Sequence, residues 1–366
     1  MGFKCGIIGL PNVGKSSLFN ALLGLQKASS ENYPFCTIEP NVGRVPIPDS
    51  RLAELSLINK SQNTIYGQIE FVDIAGLVKG ASKGEGLGNQ FLSNIREVDA
   101  IIHVVRCFDD KNISHVYNRI DPINDIEIID SELILSDISR IEKMLEKIKK
   151  SLKTSKDEFQ INFSTLTKVK SELEKGSTLN KIDLSEEEFS IIKSAGLLSY
   201  KPIMYVANVD ENSIETGNNY SMLVEEFARR KNINFVKISS KIEEELSSFD
   251  VQKEKEALMK SLGIQSSGLN TFITEGFKLL NLITFFTSGP KESKAWTIPN
   301  GASAPDAAGT IHTDFKKGFI AAEVVSYKDL INAGGNINAK NLGLIKTQGK
   351  EYIIKDGDVI LFRFNV

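Results

Sequence analysis

Residues 3–24 read FKCGIIGLPNVGKSSLFNALLG, which combines a short apolar strand, a glycine-bounded loop and a helix. The loop, residues 9–16, matches G-x-x-x-x-G-K-[ST], the pattern of a phosphate-binding loop. Successive backbone N–H groups of such a loop point into one concavity at a helix N-terminus, which favours an anion. The pattern therefore predicts a triphosphate site on a parallel α/β sheet.

The side chains of this loop supply the chemistry of that site. Lys15 adds a charge for the β- and γ-phosphates, and the Ser16 hydroxyl is a candidate Mg²⁺ ligand. The alternative, a chance glycine turn, is disfavoured because every fixed position and the strand–loop–helix order are present. The residues predicted to bind the nucleotide here are Asn12, Val13, Gly14, Lys15, Ser16 and Ser17.

Composition bounds the class of protein. With 366 residues, 41% hydrophobic and 25% charged, the chain has the size of two or three ordinary soluble domains. A net charge of −3 excludes a globally basic nucleic-acid coat. Three cysteines without metal-type spacing favour a reducing cytosol over a disulfide framework. No apolar run reaches the roughly 18 residues of a membrane span, and the N-terminus leaves no room for a signal peptide. We expect a cytoplasmic, monomeric protein with no membrane partner.

A second strand, residues 67–72, ends where a metal-bound phosphate would lie. It runs into Asp73-Ile-Ala-Gly76, in which Asp73 would hold Mg²⁺, usually through water, and the Gly76 N–H would approach the γ-phosphate. Residues 77–88 contain four glycines. This segment is either a switch that senses the γ-phosphate or an ordinary surface loop.

Two later strands place polar residues at the same predicted sheet edge, where doubly wound folds bind ligands. The strand at 201–207 leads into Asn208-Val209-Asp210-Glu211, and the strand at 234–238 leads into Ser239 and Ser240. The residues predicted to contact the nucleotide here are Asn208, Val209, Glu211, Ser239 and Ser240.

The tetrapeptide 208–211 predicts base choice. Guanine-specific relatives place Asn-Lys-x-Asp here, and the Asp accepts hydrogen bonds from guanine. Glu211 is one methylene longer, and Val209 lacks the lysine stem that packs over the ring. Loss of such a bidentate contact removes about 1–3 kcal/mol of discrimination. We therefore expect ATP to bind at least as tightly as GTP.

The residue that positions the hydrolytic water is harder to identify. Many P-loop GTPases use a Gln directly after D-x-x-G, but this slot holds Leu77. His115, in the polar stretch 109–118, is the catalytic candidate, and its alternative is a solvated loop histidine. Lys15 and Gly76 would supply the remaining catalytic contacts. His103 lies within an apolar strand and is predicted to be a core histidine.

In the middle of the chain the spacing of apolar residues becomes that of a helix. Apolar residues from Ile134 to Leu152 follow a 4-3-4-3-4 spacing, and a second seam runs from Phe159 to Leu173, as in an antiparallel coiled-coil hairpin. Its outer tip is either solvated or a docking arm.

From about residue 281 strands dominate, and Asp356-Gly357 predicts a hairpin between strands at 351–354 and 358–364.

Several motifs together resemble the YchF, or Obg-like ATPase, family over essentially the whole chain. They are residues 9–16, Tyr33-Pro-Phe-Cys-Thr-Ile-Glu-Pro40, residues 73–88 and residues 208–211. Residues 295–299 and 311–315 resemble the family's C-terminal ubiquitin-like TGS domain. The resemblance implies an α/β P-loop NTPase G domain at 1–121 and 200–280, a coiled-coil helical insertion at 122–199 and a TGS α+β domain at 281–366.

The resemblance also implies a function. It implies ATP, and possibly GTP, as the bound nucleotide, association with the ribosome or its RNA or proteins, and a nucleotide-dependent switch in translation or stress regulation. Thr37 would join Ser16 on Mg²⁺, and Asn12 would help to hold a K⁺ ion. The alternative function is a nucleotide-gated ribosome- or RNA-binding module in which hydrolysis is incidental.

Overall fold

The computed structural model describes residues 3–29, 41–75, 87–117, 119–150, 156–176, 179, 182–249, 251–264 and 266–365, which form two six-stranded sheets with helices around them. In chain order the strands are β1 Lys4–Ile8, β2 Val42–Pro46, β3 Asn63–Ile65, β4 Gln68–Asp73, β5 Ala100–Cys107, β6 Ile203–Val209, β7 Asn234–Ile238, β8 Leu282–Ser288, β9 Glu292–Pro299, β10 Phe319–Ser326, β11 Lys346–Gln348 and β12 Asp358–Phe364. The helices are α1 Lys15–Ser29, α2 Ser50–Asn59, α3 Leu87–Arg96, α4 Pro122–Lys150, α5 Lys156–Glu174, α6 Glu186–Ala195, α7 Asn219–Lys231, α8 Ser240–Ser248, α9 Gln252–Ser261, α10 Gly268–Leu279, α11 Ala304–Ile311, α12 Thr313–Lys317, α13 Tyr327–Ala333 and α14 Asn336–Asn341.

The first sheet has the order β2-β4-β1-β5-β6-β7 and is parallel except for β2. Its central strand β5 is buried along its whole length, which explains why all but two of its residues, His103 and Arg106, are apolar. Pro46 lies in the edge strand β2, where a missing N–H is tolerated. The carboxyl ends of β1, β4, β5, β6 and β7 therefore meet at one edge, as the sequence predicts.

His103 is a core residue, as predicted. It lies in β5 at 1% exposure, and its ring packs edge-on against Tyr205 with 5.8 Å between centroids. Burial, together with the charge of Lys15, lowers the pKa of His103 to about 3. The imidazole is therefore neutral in the folded protein at physiological pH.

The helical insertion consists of α4, α5 and α6. The Lys170 ammonium pairs with Glu142 at 2.8 Å, and Lys149 lies 5.4 Å from the ring of Phe163. Because partners farther along α4 are nearer the start of α5, the two helices run antiparallel. A capping box at Ser185 begins α6. Leu152, the last residue of the predicted first seam, lies outside the described residues.

The second sheet has the order β11-β10-β12-β8-β9-β3. The hairpin predicted to turn at Asp356-Gly357 is wrong. Residues 351–354 do not form a strand that pairs with β12 and contribute only an isolated bridge between Ser303 and Ile353. Asp356 instead accepts a hydrogen bond from the Thr284 N–H at 2.9 Å. This bond ties the turn to β8, which β12 joins in parallel.

Residues from the N-terminal region complete the second sheet. The short strand β3 pairs in parallel with β9. Leu52 and Leu55 of α2 are fully buried in a core with Phe286 of β8 and Leu330 of α13. Neither α2 nor β3 is predicted from the sequence, since a ten-residue helix and a three-residue strand give weak periodic signals.

Candidate nucleotide-binding site

The phosphate-binding loop follows β1 and leads into α1, and two glycines allow it to pack tightly. Gly9 has φ +157°, and a Cβ there would lie 2.5 Å from the carbonyl oxygen of Val104. Gly14 has φ +96°, and a Cβ there would lie 2.1 Å from Nδ2 of Asn208. Any larger residue would therefore collide with the neighbouring strands, so the glycine positions of the motif have a steric reason.

Lys15 occupies the base of the loop. Its side chain is buried, and Nζ donates to the carbonyl oxygens of Gly9 at 3.3 Å and Leu10 at 3.4 Å. Burial lowers the pKa of the Lys15 ammonium, and the nearby Asp73 carboxylate partly offsets this effect. The two hydrogen bonds are long, so a phosphate oxygen would be a stronger partner for the ammonium than these carbonyls.

Asp73 ends β4 beside this loop. Its backbone N–H donates to the Asn41 carbonyl at 2.9 Å, while its buried Oδ1 has no hydrogen-bond partner among the described residues. Burial raises the pKa of the Asp73 carboxyl, and Lys15 opposes this shift. Ser16, in the first turn of α1, is exposed at the same edge. A carboxylate oxygen without a partner and an exposed hydroxyl are both of the oxygen type that Mg²⁺ prefers as a ligand.

Two predicted site residues cannot be compared with the structure. Thr37, the predicted second metal hydroxyl, and Gly76, the predicted γ-phosphate contact, both lie outside the described residues. The same holds for residues 77–86 of the predicted switch. Their roles stay predictions.

Asn208 connects three parts of the site. Its Nδ2 donates to the Val13 carbonyl at 2.8 Å, and its Oδ1 accepts from the Ser240 N–H at 2.9 Å. The buried carboxamide thus joins the phosphate-binding loop, the end of β6 and the start of α8. This arrangement gives Asn208 a scaffolding role that the sequence did not predict, and its contact with a base stays a prediction.

The residues predicted to lie beside the base follow Asn208. Val209 is buried at the end of β6, and Glu211 forms an ion pair with Lys241 at 2.6 Å. Ser239 caps α8 without a side-chain cap hydrogen bond, and the buried Ser240 hydroxyl has no partner among the described residues. The Ser240 hydroxyl is therefore available to a ligand.

His115 lies in a different environment from the one expected. It is only 7% exposed, so the solvated-loop alternative is wrong. Its Nε2 lies 3.0 Å from Oδ2 of Asp125, and its Nδ1 accepts from the Tyr117 N–H at 3.2 Å. Burial raises the pKa of the Asp125 carboxyl, with His115 opposing the shift. Because both ring nitrogens are engaged, a catalytic role requires His115 to leave these partners, and that role stays a prediction.

The cleft has a further wall, formed by residues that were not among the predicted nucleotide contacts. A cavity of about 560 Å³ is lined by Asn12, Gly14, Lys15, Ser16, Ser17, Phe108, Asp109, Asp110, Ile113, Asn208, Val209, Asp210, Glu211, Asn212, Ser239, Ser240 and Lys241. Phe108 to Ile113 follow β5 at the same sheet edge as the predicted binding residues. The position of a loop after a central parallel strand was the available signal.

The full-length comparisons agree with this geometry. The "Ribosome-binding ATPase YchF" of Escherichia coli O157:H7 is 50% identical over 368 residues, covering 100% of both chains. The protein of the same name from Bacillus subtilis strain 168 is 47% identical with the same coverage. The chain belongs to the YchF family. The resemblance read from the sequence motifs is thereby confirmed.

Domain and structure comparisons give the same family. A model described as "50S ribosome-binding GTPase" matches residues 4–148, and a model for the C-terminal region of YchF GTPases, described as a protein of unknown function, matches residues 282–365. The structure of the Schizosaccharomyces pombe YchF GTPase superposes with a TM-score of 0.89 at 37% identity, covering 99% of this chain and 98% of that chain. The fold is thus the α/β fold of P-loop GTPases.

Proposed function

We propose that this protein is a ribosome-associated P-loop ATPase that acts as a nucleotide-dependent switch in translation or stress regulation. The observation that carries the proposal is one sheet edge at which Lys15 lies near the Asp73 carboxylate, whose Oδ1 has no partner among the described residues, and at which Asn208 bonds to the phosphate-binding loop. Full-length relatives named as ribosome-binding ATPases support both the activity and the partner. We expect the protein to act as a monomer in the cytoplasm.

Mg²⁺ is the metal proposed for the site. Ser16 and Asp73 would hold it, with Thr37 as a further ligand, and the metal would neutralise charge on the β- and γ-phosphates. The described residues contain no group of three or more His, Cys, Asp or Glu suited to a metal. That finding fits Mg²⁺, which takes only one or two carboxylates in such sites and otherwise binds phosphate oxygens and water.

The chain's own residues would bind and orient the triphosphate. Backbone N–H groups of the loop and the Lys15 ammonium would face the phosphates, and the Gly76 N–H would contact the γ-phosphate. Release of the Gly9 and Leu10 carbonyls frees Lys15 for this contact. Asn12 is proposed to help hold K⁺. A higher turnover rate in K⁺ than in Na⁺ is the expected result, and equal rates would contradict this assignment.

ATP is proposed to bind at least as tightly as GTP. Glu211 is paired with Lys241 and is one methylene longer than the aspartate of guanine-specific sites. The end of β6 therefore lacks the bidentate acceptor that guanine requires.

The helical arm at 122–199 and the domain at 281–366 are proposed to contact the ribosome. We propose that the former is a coiled coil and the latter a TGS domain, with 1–121 and 200–280 as the G domain. The antiparallel α4–α5 contacts support the helical arm as a separate element. No described helix combines the length and apolar character that crossing a bilayer requires.

A titration of ATP and GTP in the presence of Mg²⁺ tests the proposal. Lys15→Ala should abolish triphosphate binding while leaving the fold intact, because the variant loses the phosphate counter-charge and relieves a buried ammonium. Lys317→Ala, which removes an exposed lysine, is the matched control and should bind as the wild type does. A GTP preference of tenfold or more, or unchanged ATP binding by Lys15→Ala, would contradict the proposal.

Turnover in the presence of ribosomes separates the two functions considered for the chain. A switch ATPase should hydrolyse ATP faster when ribosomes are added. If the protein co-sediments with ribosomes in a nucleotide-dependent way while turnover stays constant, the alternative is correct and hydrolysis is incidental to binding.

A further inference from the structure

Arg106 is a buried arginine at the nucleotide edge of the sheet. It lies in β5 at 1% exposure and is paired in register with Asn208 of β6. Its Nε donates to the Phe108 carbonyl at 3.2 Å, and its Nη2 donates to the Asp110 carbonyl at 3.2 Å. Its Nη1 donates to the Ile113 carbonyl at 2.9 Å.

The guanidinium is committed to one loop. Nη1 also reaches the Ser114 carbonyl at 3.5 Å, and the guanidinium carbon lies 4.6 Å from the centre of the Phe108 ring. Among the described residues, its polar partners are all backbone carbonyls of residues 108–114, and none is a carboxylate. Burial of a guanidinium is unfavourable unless its N–H groups are satisfied. Arg106 is therefore stable only while this loop keeps its shape.

The loop held by Arg106 is a wall of the cleft. Phe108, Asp109, Asp110 and Ile113 line the cavity that contains the phosphate-binding loop. The side chains of residues 109–114 are mostly exposed, so apolar packing does little to order the loop. The planar fork of the guanidinium replaces that packing with several directed hydrogen bonds.

The same loop touches the phosphate-binding loop directly. Asn12 Nδ2 donates to the Ser114 carbonyl at 3.1 Å, so one carbonyl lies between Asn12 and Arg106. A shift of residues 108–114 would therefore change both the wall of the cleft and a contact of the predicted phosphate site.

We propose that Arg106 is a positioning residue that holds loop 108–114 as the wall of the nucleotide cleft and thereby sets nucleotide affinity. The inference rests on the proposed function, because the ligand is taken to be a nucleoside triphosphate. A lysine at this position keeps the charge but not the planar fork. Arg106→Lys should therefore raise the Kd for ATP with Mg²⁺ tenfold or more.

Calorimetric titration of Arg106→Lys with ATP tests the proposal, together with a matched control. The control is Arg140→Lys. Arg140 Nε also donates to a backbone carbonyl, that of Ala195 at 2.6 Å, but this bond lies in the helical insertion. Both variants should lose some thermal stability, while the control keeps its Kd within twofold. A folded Arg106→Lys variant that binds ATP as tightly as the wild type would overturn the proposal.

Hydrogen–deuterium exchange supplies a readout that does not depend on nucleotide. Peptides covering residues 108–114 should exchange at least tenfold faster in Arg106→Lys than in the wild type. If that variant does not fold, the wild type alone is informative, because exchange of this loop at the rate of an unstructured peptide would overturn the proposal. Failure of the wild type to bind ATP would contradict the proposed function, and the exchange comparison would still test Arg106.

Discussion

At the scale of single residues, the carboxyl edge of the first sheet holds polar side chains in an unfavourable state. The Lys15 ammonium and the Asp73 carboxyl are both partly desolvated. Burial lowers the pKa of Lys15 and raises the pKa of Asp73, so it favours the neutral form of each group. The Ser240 hydroxyl and one Asp73 oxygen have no partner among the described residues. Groups of this kind reduce the stability of the free protein and are satisfied by a ligand, so their clustering at one edge indicates a binding site.

His103 should make the protein sensitive to mild acid. Its folded-state pKa of about 3 lies below the ordinary value of 6.5, so the unfolded chain binds a proton that the folded protein excludes. Stability is fully present above pH 6.5 and should fall by about 1.4 kcal/mol per pH unit below it. Urea unfolding between pH 7.5 and 5 measures the slope. In His103→Leu the slope should decrease by this amount, and an unchanged slope would contradict the assignment.

His115→Ala should lower kcat severalfold or more and leave the KM for ATP nearly unchanged, the pattern of a contact made only in the transition state. The variant also leaves the buried Asp125 carboxyl without its imidazole partner, which should destabilise the fold by about 1–3 kcal/mol. Steady-state kinetics and thermal unfolding measure the two effects. His312→Ala removes an exposed histidine and serves as the control. An unaltered kcat would leave Lys15, Gly76 and the metal as the groups responsible for catalysis.

At the scale of elements, α2 and β3 connect the two sheets. These elements lie between β2 and β4 in the chain, and β4 ends at Asp73 of the nucleotide site. Arg51 of α2 pairs with Asp356 at 2.6 Å, and its guanidinium lies 5.1 Å from the centre of the Phe286 ring. The segment that precedes the site is thus packed against the C-terminal part of the chain.

Two leucines of α2 test this attachment. Leu52 is 0% exposed and Leu57 is 78% exposed. Leu52→Ala should destabilise the protein by about 2–5 kcal/mol because it leaves a cavity, while Leu57→Ala should change the unfolding free energy by about 0.5 kcal/mol or less. Denaturant unfolding gives these values, and hydrogen exchange should increase in β8 and β9 for Leu52→Ala. Increased exchange confined to the first sheet would contradict the attachment of α2 to the second.

At the scale of the whole molecule, the N-terminal and C-terminal parts of the chain pack against each other and do not form independent domains. The strand pair β3–β9 joins residues 63–65 to residues 292–294, and Tyr327 donates to Glu54 across the same interface at 2.5 Å. Ribosome contacts made by the second sheet would therefore act on a segment that leads to Asp73.

Removal of residues 282–366 should damage the remaining protein. The truncated chain would expose Leu52 and Leu55 and leave β3 without its partner, so its Tm should fall and it should bind the dye ANS. Circular dichroism and ANS fluorescence measure both effects, with the full-length protein as control. An unchanged Tm without ANS binding would show that α2 and β3 fold without the second sheet. Ribosome co-sedimentation should accordingly be tested with surface substitutions in the second sheet.

The local features of this protein could be predicted from its sequence. The glycines and Lys15 of the phosphate-binding loop, the apolar run of β5 and the capping box at Ser185 follow from spacing and composition, because each depends on near neighbours in the chain. The sheet-edge position of Asn208 followed from the same reasoning, since parallel strands bring their carboxyl ends together.

The tertiary structure decided the features that depend on partners distant in sequence. Asn208 binds the Val13 carbonyl 195 residues away, and Arg51 pairs with Asp356 across 305 residues. The buried state of His115 likewise depends on Asp125 and on the packing of α4 above it. The pattern of residue types along the sequence does not predict such contacts. Their free energy depends on desolvation and geometry that exist only once the chain has folded.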